Sequence, residues 1–134
     1  MKKILLLLLM LPLVACGQRE KHEMAIERYY QSHLNDPSSY ELVRMGTPKE
    51  VTRITAIYKV GTEKGVEWSK IEEEASKYAL ELKAQGIDPA EIMAYEVEHR
   101  YRAKNALGAL VLENEIVVLD PTMSEVIKVL DNGK

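Results

Sequence analysis

The chain has 134 residues, which suits one domain of ordinary size with a core that needs no disulfide staples. Its 18 basic residues are outnumbered by 21 acidic ones, so the charge balance gives no support for nucleic acid as a partner. The single cysteine, Cys16, excludes an intrachain disulfide and cysteine-rich metal sites. We therefore expect packing to supply the stability.

The first 15 residues predict an export signal. Lys2 and Lys3 provide a basic start, and residues 4–14 are apolar apart from Pro12. An apolar run of this length falls within the roughly 7–15 residues of a signal peptide and short of the ~20 that cross a bilayer as a helix. We expect residues 1–15 to be removed, residues 16–21 to form a short tether, and residues 22–134 to fold as a single domain.

The signal ends in Leu13-Val14-Ala15-Cys16, which resembles the lipobox of bacterial lipoproteins. The resemblance implies that Cys16 carries an S-diacylglycerol group and an N-acyl chain such as palmitate, and that these chains anchor the protein stably to a membrane. It also implies a cell-envelope location, with the outer membrane of a Gram-negative bacterium expected because Gly17 follows the cysteine. A secreted protein with a free thiol at Cys16 is the alternative, but Leu13 is large for an Ala-x-Ala-like cleavage site.

Two amphipathic helices are predicted from apolar residues at spacings of three and four. The first covers residues 20–34 and ends before Asn35-Asp36-Pro37, because proline disfavours helix in the residue before it. The second starts between residues 63 and 69 and ends at Gly86, a suitable C-terminal stop. Between the helices, residues 40–45 and 51–60 are predicted strands, and the intervening Gly46-Thr47-Pro48 predicts that they form a hairpin.

A second hairpin is predicted from residues 95–104 and 109–119, joined by a type I-like turn at Asn105-Ala106-Leu107-Gly108. If Lys104 pairs with Ala109, the apolar residues of both strands share one face, and that face also holds His99 opposite Asn114. A hydrogen bond between these two side chains is expected, with His99 neutral and structural.

The other face of this hairpin is predicted to be exposed, with the charges of one strand neutralising those of the other. A shift by one residue would move its carboxylates to the apolar face, which favours the stated register. This candidate exposed face consists of Arg100, Arg102, Lys104, Glu113 and Glu115.

A last short strand at residues 125–130 completes the predicted order α-β-β-α-β-β-β. Helices and strands are segregated rather than alternating as β-α-β units, which predicts an α+β fold. We expect an antiparallel sheet of about five strands with two helices packed on one face.

Two short segments resemble motifs of small exported domains found in Bacteroidetes-type lipoproteins. The segment Asn35-Asp36-Pro37-Ser38-Ser39-Tyr40 is similar to N-D-P-x-S-Y, and residues 101–108 are similar to Y-R-A-K-N-S-F-G, with Ala106 and Leu107 in place of Ser and Phe. The resemblance implies a fold and a location. It implies no reaction, because these domains have no established activity.

The sequence contains no G-x-S-x-G, no H-E-x-x-H and no phosphate-binding glycine loop. Its histidines, His22, His33 and His99, lack metal-ligand spacing, so neither a metal nor a cofactor is expected. We predict a non-catalytic binding or structural module, anchored to the membrane at Cys16, with an envelope protein or glycan as partner. The alternative is a small-ligand binder or hydrolase with its site near His99, between sheet and helices. A solvent-open pocket at His99 would favour the alternative, and a histidine sealed beneath a helix would favour the module.

Overall fold

The computed structural model describes residues 19–131 of the chain. Three helices and a five-stranded antiparallel sheet are present in this part, which confirms the α+β class and the antiparallel sheet. A single 3₁₀ turn, Pro37–Ser39, follows the first helix. The elements in chain order are α1 (Lys21–His33), β1 (Glu41–Met45), β2 (Lys49–Thr52), α2 (Arg53–Glu63), α3 (Trp68–Ala84), β3 (Ile92–Lys104), β4 (Leu110–Leu119) and β5 (Val126–Asp131).

The long strand β3 is the centre of the sheet. It pairs with β4 on one side, and β5 continues the sheet beyond β4. On its other side, β3 pairs with β1 and then with β2, which lie end to end along it. The predicted hairpin between the first two strands is therefore wrong, because both strands pair with β3. At the turn between them, the Gly46 amide donates to the Glu98 carbonyl at 2.7 Å, and a side chain on Gly46 would stand 3.2 Å from Glu98 Cβ.

The segment predicted as a strand over residues 51–60 is mostly the helix α2. Its start is fixed by a capping box: Thr52 Oγ1 accepts from the Thr55 amide at 3.2 Å, and Thr55 Oγ1 accepts from the Thr52 amide at 2.7 Å. The helix then packs on α3 so closely that a Cβ on Gly61 would lie 2.7 Å from Ile71 Cγ1. Capping and helix packing thus override the strand propensity of the β-branched residues.

The core of the sheet lies under α1. Ile26 of α1, Val97 of β3 and Val117 of β4 are each completely buried in it. Adjacent residues of a strand point to opposite faces, so Glu96 lies on the face opposite to that of the buried Val97. On that face, Glu96 forms an ion pair with Lys59 of α2. The expectation that two helices pack on one face of the sheet is therefore wrong: α1 covers this core, whereas the α2–α3 pair contacts the sheet from the other face.

The β3–β4 register differs from the predicted one by one residue. Lys104 pairs with Leu110 rather than Ala109, and this offset continues to Tyr95 opposite Leu119. The reason lies in the turn, where the Gly108 amide donates to the Asn105 carbonyl at 2.9 Å and Gly108 has a φ of 79°. A residue in this left-handed conformation after a type I turn adds a bulge, which shifts the partner strand by one position.

Candidate functional site

The two faces of the sheet form different candidate sites. The covered face is the one under α1 and carries Val97, His99, Tyr101 and, because of the register, Glu115. The open face is the opposite one and carries Arg44, Arg100, Arg102, Leu112 and Asn114. Of the predicted exposed-face residues, Arg100, Arg102 and Lys104 lie on the open face. Glu113 and Glu115 lie on the covered face, so that part of the prediction is wrong.

His99 is fully buried in a group of aromatic rings on the covered face. Its ring centroid lies 4.6 Å from that of Tyr30, which α1 supplies, and 4.9 Å from that of Tyr101. Burial lowers the pKa of His99 to about 4, because the ring is removed from the water that would stabilise its charged form. The imidazole is therefore neutral at pH 7.

The hydrogen-bond partner of His99 is Tyr40 and not Asn114. The Tyr40 hydroxyl lies 2.9 Å from His99 Nε2, and burial raises the pKa of that hydroxyl to about 12. Asn114 pairs with Arg100 on the open face, so the predicted His99–Asn114 pair is wrong. Within residues 19–131, His99 Nδ1 has no hydrogen-bond partner. The ring thus has one polar contact, and it is sealed in the covered face.

The carboxylate of Glu115 is accommodated on the covered face by Tyr30. The Tyr30 hydroxyl donates a hydrogen bond to Glu115 Oε2. Burial, followed by the hydrogen bond and the charge of Glu115, raises the pKa of Tyr30 well above its ordinary value. Glu113, Glu115 and Asp131 line the same cleft beside His33, near the end of α1. This cleft forms a polar edge of the core. The Tyr30 hydroxyl gives the Glu115 carboxylate a hydrogen-bond partner there, as the observed register requires.

The two segments that resemble motifs of exported domains come together in space. The Lys104 amide donates to Ser39 Oγ at 2.8 Å, and Lys104 Nζ lies 3.9 Å from Asp36. Tyr40, the last residue of the first segment, bonds to His99 two residues before the second. These contacts fasten the 3₁₀ turn to β3 and hold β1 in register.

The open face carries a row of polar side chains at right angles to the strands. Arg44 of β1 is opposite Arg100 of β3, and Arg100 is opposite Asn114 of β4. Residues directly opposite one another in an antiparallel sheet share a face, with Cβ atoms about 4.5–5.5 Å apart. Arg44, Arg100 and Asn114 are all exposed. With Glu98 and with His99, which itself has no exposed surface, they line a hollow of about 130 Å³.

Most of the other charges near this row are paired. Lys49 Nζ lies 3.2 Å from Glu98, and Arg102 lies 3.7 Å from Glu41. In the part of the chain that the structure describes, neither Arg44 nor Arg100 has a carboxylate within ion-pair distance. Arg44 was absent from the predicted exposed face. Its contribution depends on the pairing of β1 with β3, a long-range contact that local periodicity does not reveal.

A second surface feature is an apolar groove of about 840 Å³ beside the α2–α3 pair. Its walls include Ile57, Val60, Val66, Tyr78 and Met93. Several of these apolar side chains are exposed; Val60, for example, keeps 47% of its surface accessible. The sequence did not predict this groove, because residues 51–60 were predicted to be a strand. Most of them belong to the helix α2, which forms one wall of the groove.

The described histidines do not form a metal centre. His22 is buried next to Glu20, His33 stacks on Tyr29 with centroids 3.9 Å apart, and His99 is sealed in the core. Among residues 19–131, no group of three or more His, Cys, Asp or Glu side chains could hold a metal ion.

Cys16 and the predicted signal and tether up to residue 18 lie outside the described residues. None of the helices in the described region has the length and apolarity to cross a membrane. Comparisons of the chain with protein-family models, with curated proteins and with solved structures found no match.

Proposed function

We propose that this chain is a lipid-anchored, non-catalytic binding module of the bacterial cell envelope, and that its open face binds an envelope partner. The observation that supports this most directly is the contrast between the faces. The covered face is filled by α1 and a sealed histidine, whereas the open face presents Arg44 and Arg100 beside exposed Leu112. Unpaired arginines next to exposed apolar side chains are typical of protein interaction surfaces.

The predicted membrane anchor is part of this proposal. Cys16 precedes Arg19, the first described residue, by three positions, and three residues span at most about 10 Å. A lipidated Cys16 would hold the domain at the membrane surface, with the outer membrane of a Gram-negative bacterium as the proposed location. At that position, the module would contact components that lie on or near the bilayer.

The alternative, a hydrolase or small-ligand binder with a site at His99, is less well supported. A catalytic imidazole needs access to its substrate and a pKa near the working pH. His99 has no exposed surface, and burial lowers its pKa to about 4. The arrangement of His99 under α1 favours a structural role in the core.

Lipidation is tested by expressing the full-length chain and its Cys16→Ala variant with radiolabelled palmitate. We expect the wild-type protein to incorporate label, to be cut before Cys16 and to partition into detergent. The variant should remain uncut and unlabelled. A soluble wild-type product with an unmodified Cys16 would contradict the anchoring part of the proposal.

Binding through the open face is tested by placing a photocrosslinking amino acid at Leu112 in full-length protein expressed in cells. Leu80, which is 70% exposed on α3, provides a matched control position. We expect a discrete adduct from position 112, its loss when Arg100→Glu is added, and no such adduct from position 80. Identical adduct patterns from both positions would refute the open face as the binding surface.

A further inference from the structure

We infer that Arg44, Arg100 and Asn114 form a binding site for a phosphate ester group carried by an envelope glycan. This inference rests on the proposed function and deepens it, because it names the ligand class of the open face. Three observations support it: the juxtaposed arginines, the size and lining of the hollow between them, and the position of α2 beside it.

The two arginines face each other without a compensating carboxylate. Arg44 and Arg100 occupy directly opposed positions on β1 and β3, where like charges disfavour strand pairing. Neither has an ion-pair partner among the described residues. An oxyanion bound between the guanidinium groups would neutralise both. Guanidinium groups bind phosphate through paired N–H donors, so two of them can engage one phosphoryl group from two sides.

The hollow beside the row has the size and the donors for one such group. Its volume of about 130 Å³ corresponds to roughly four water molecules at ~30 Å³ each. The Asn114 side chain borders it and supplies amide donors. Glu98 also borders it, but Lys49 lies 3.2 Å from the Glu98 carboxylate and offsets its charge. The net lining is therefore cationic.

The position of α2 favours a glycan over a membrane surface as the source of the phosphate. Lys59 of α2 contacts Glu96 on the open face, and Glu96 precedes Arg100 by four positions, or about 13 Å along the strand. A helix with its side chains is about 10 Å thick, so α2 would hold a flat bilayer away from the row. A polymer chain can enter the angle between α2 and the sheet.

The inference is tested by calorimetric titration of the full lipidated chain, in non-ionic detergent, with glucose 1-phosphate. The wild-type protein is compared with Arg44→Gln, Arg100→Gln and the matched control Lys70→Gln, an exposed cation on α3. Losing one charge-assisted bond to the phosphate should weaken binding by about tenfold or more in the first two variants. The control should bind like the wild-type protein, and thermal melts should show that all four proteins are folded.

Four results would overturn the inference. Equal affinity in all four proteins would show non-specific ion binding only. The absence of any glucose 1-phosphate binding would refute a phosphate ester as the ligand. Acetate binding as tightly as the phosphate ester would assign the row to carboxylates. Binding of phosphatidylglycerol vesicles that depends on Arg100, without binding of glucose 1-phosphate, would assign it to the bilayer. Crosslinking from Leu112 that persists after these failures would leave the proposed function standing.

Discussion

The covered and open faces of the sheet are built from alternate residues of the same strands, yet they treat polar groups in opposite ways. On the covered face, His99 and Glu115 are each held by a tyrosine hydroxyl. On the open face, Arg44 and Arg100 lie side by side with no such partner. One face thus uses its polar groups to complete a core, whereas the other leaves its polar groups exposed to solvent.

The largest expected effect comes from removing apolar volume from the covered face. Ile26 has no exposed surface, so Ile26→Ala should lower the free energy of unfolding by about 2–5 kcal/mol. Leu112→Ala on the open face, where the side chain is 44% exposed, should change it by less than about 0.5 kcal/mol. Urea unfolding of both variants measures the difference. Similar losses from the two substitutions would contradict the assignment of the faces.

The burial of His99 on the covered face should make the free energy of unfolding depend on pH. Burial lowers the pKa of His99 from its ordinary value of 6.5 to about 4, so the unfolded chain binds the extra proton first as the pH falls. This contribution is complete above pH 6.5 and is lost progressively toward pH 4, by at most about 3 kcal/mol.

Unfolding curves between pH 4 and pH 7 measure this dependence. His99→Gln should flatten the curve in that range. A wild-type slope in the His99 variant would show that other groups cause the acid sensitivity.

Tyr29 and Tyr30, which are neighbours in α1, allow a comparison between a hydroxyl that makes a hydrogen bond and one that does not. Tyr30→Phe removes the donor to half-buried Glu115 and should cost about 1–3 kcal/mol of unfolding free energy. The neighbouring Tyr29 has a ring in the same aromatic group, but its hydroxyl makes no hydrogen bond among the described residues. Tyr29→Phe is therefore the matched control, with little change expected in guanidinium unfolding. Equal effects would mean that the Tyr30–Glu115 bond does not support the register.

The smallest expected effect has the opposite sign and belongs to the open face. Arg44→Gln removes repulsion from Arg100 and should raise the free energy of unfolding by about 0.2–1 kcal/mol in the absence of a bound anion. Salt screens exposed charges, so the gain should shrink between low and high ionic strength in thermal melts. A loss of stability at low salt would show that Arg44 has a favourable contact and is not held as an unpaired cation.

Elements with strong local signals were predictable from the sequence. The apolar stripe of α1 fixed its face, and the alternation of residues 95–104 identified β3 and its two faces. The turn at Asn105–Gly108 was also recognised. The strand prediction for residues 51–60 is wrong because β-branched side chains in alternation are typical of a strand, whereas most of this segment is the helix α2. The signals for α2 were Thr52 as an N-cap and Ile54, Ile57 and Gly61 at helical spacing, but packing on Ile71 decided the outcome.

The candidate site depended on contacts that no local pattern specifies. The sequence by itself determined that residues 95–104 have one apolar and one charged face, because the side-chain period of a strand is two. It did not determine which residues of β4 join each face, since Gly108 adds a bulge and Tyr30 from α1 provides a partner for Glu115. Nor did it place Arg44 beside Arg100, because strands 50 or more residues apart pair only when the whole sheet forms. Local sequence sets the periodicity of an element, and tertiary contacts set its register and its neighbours.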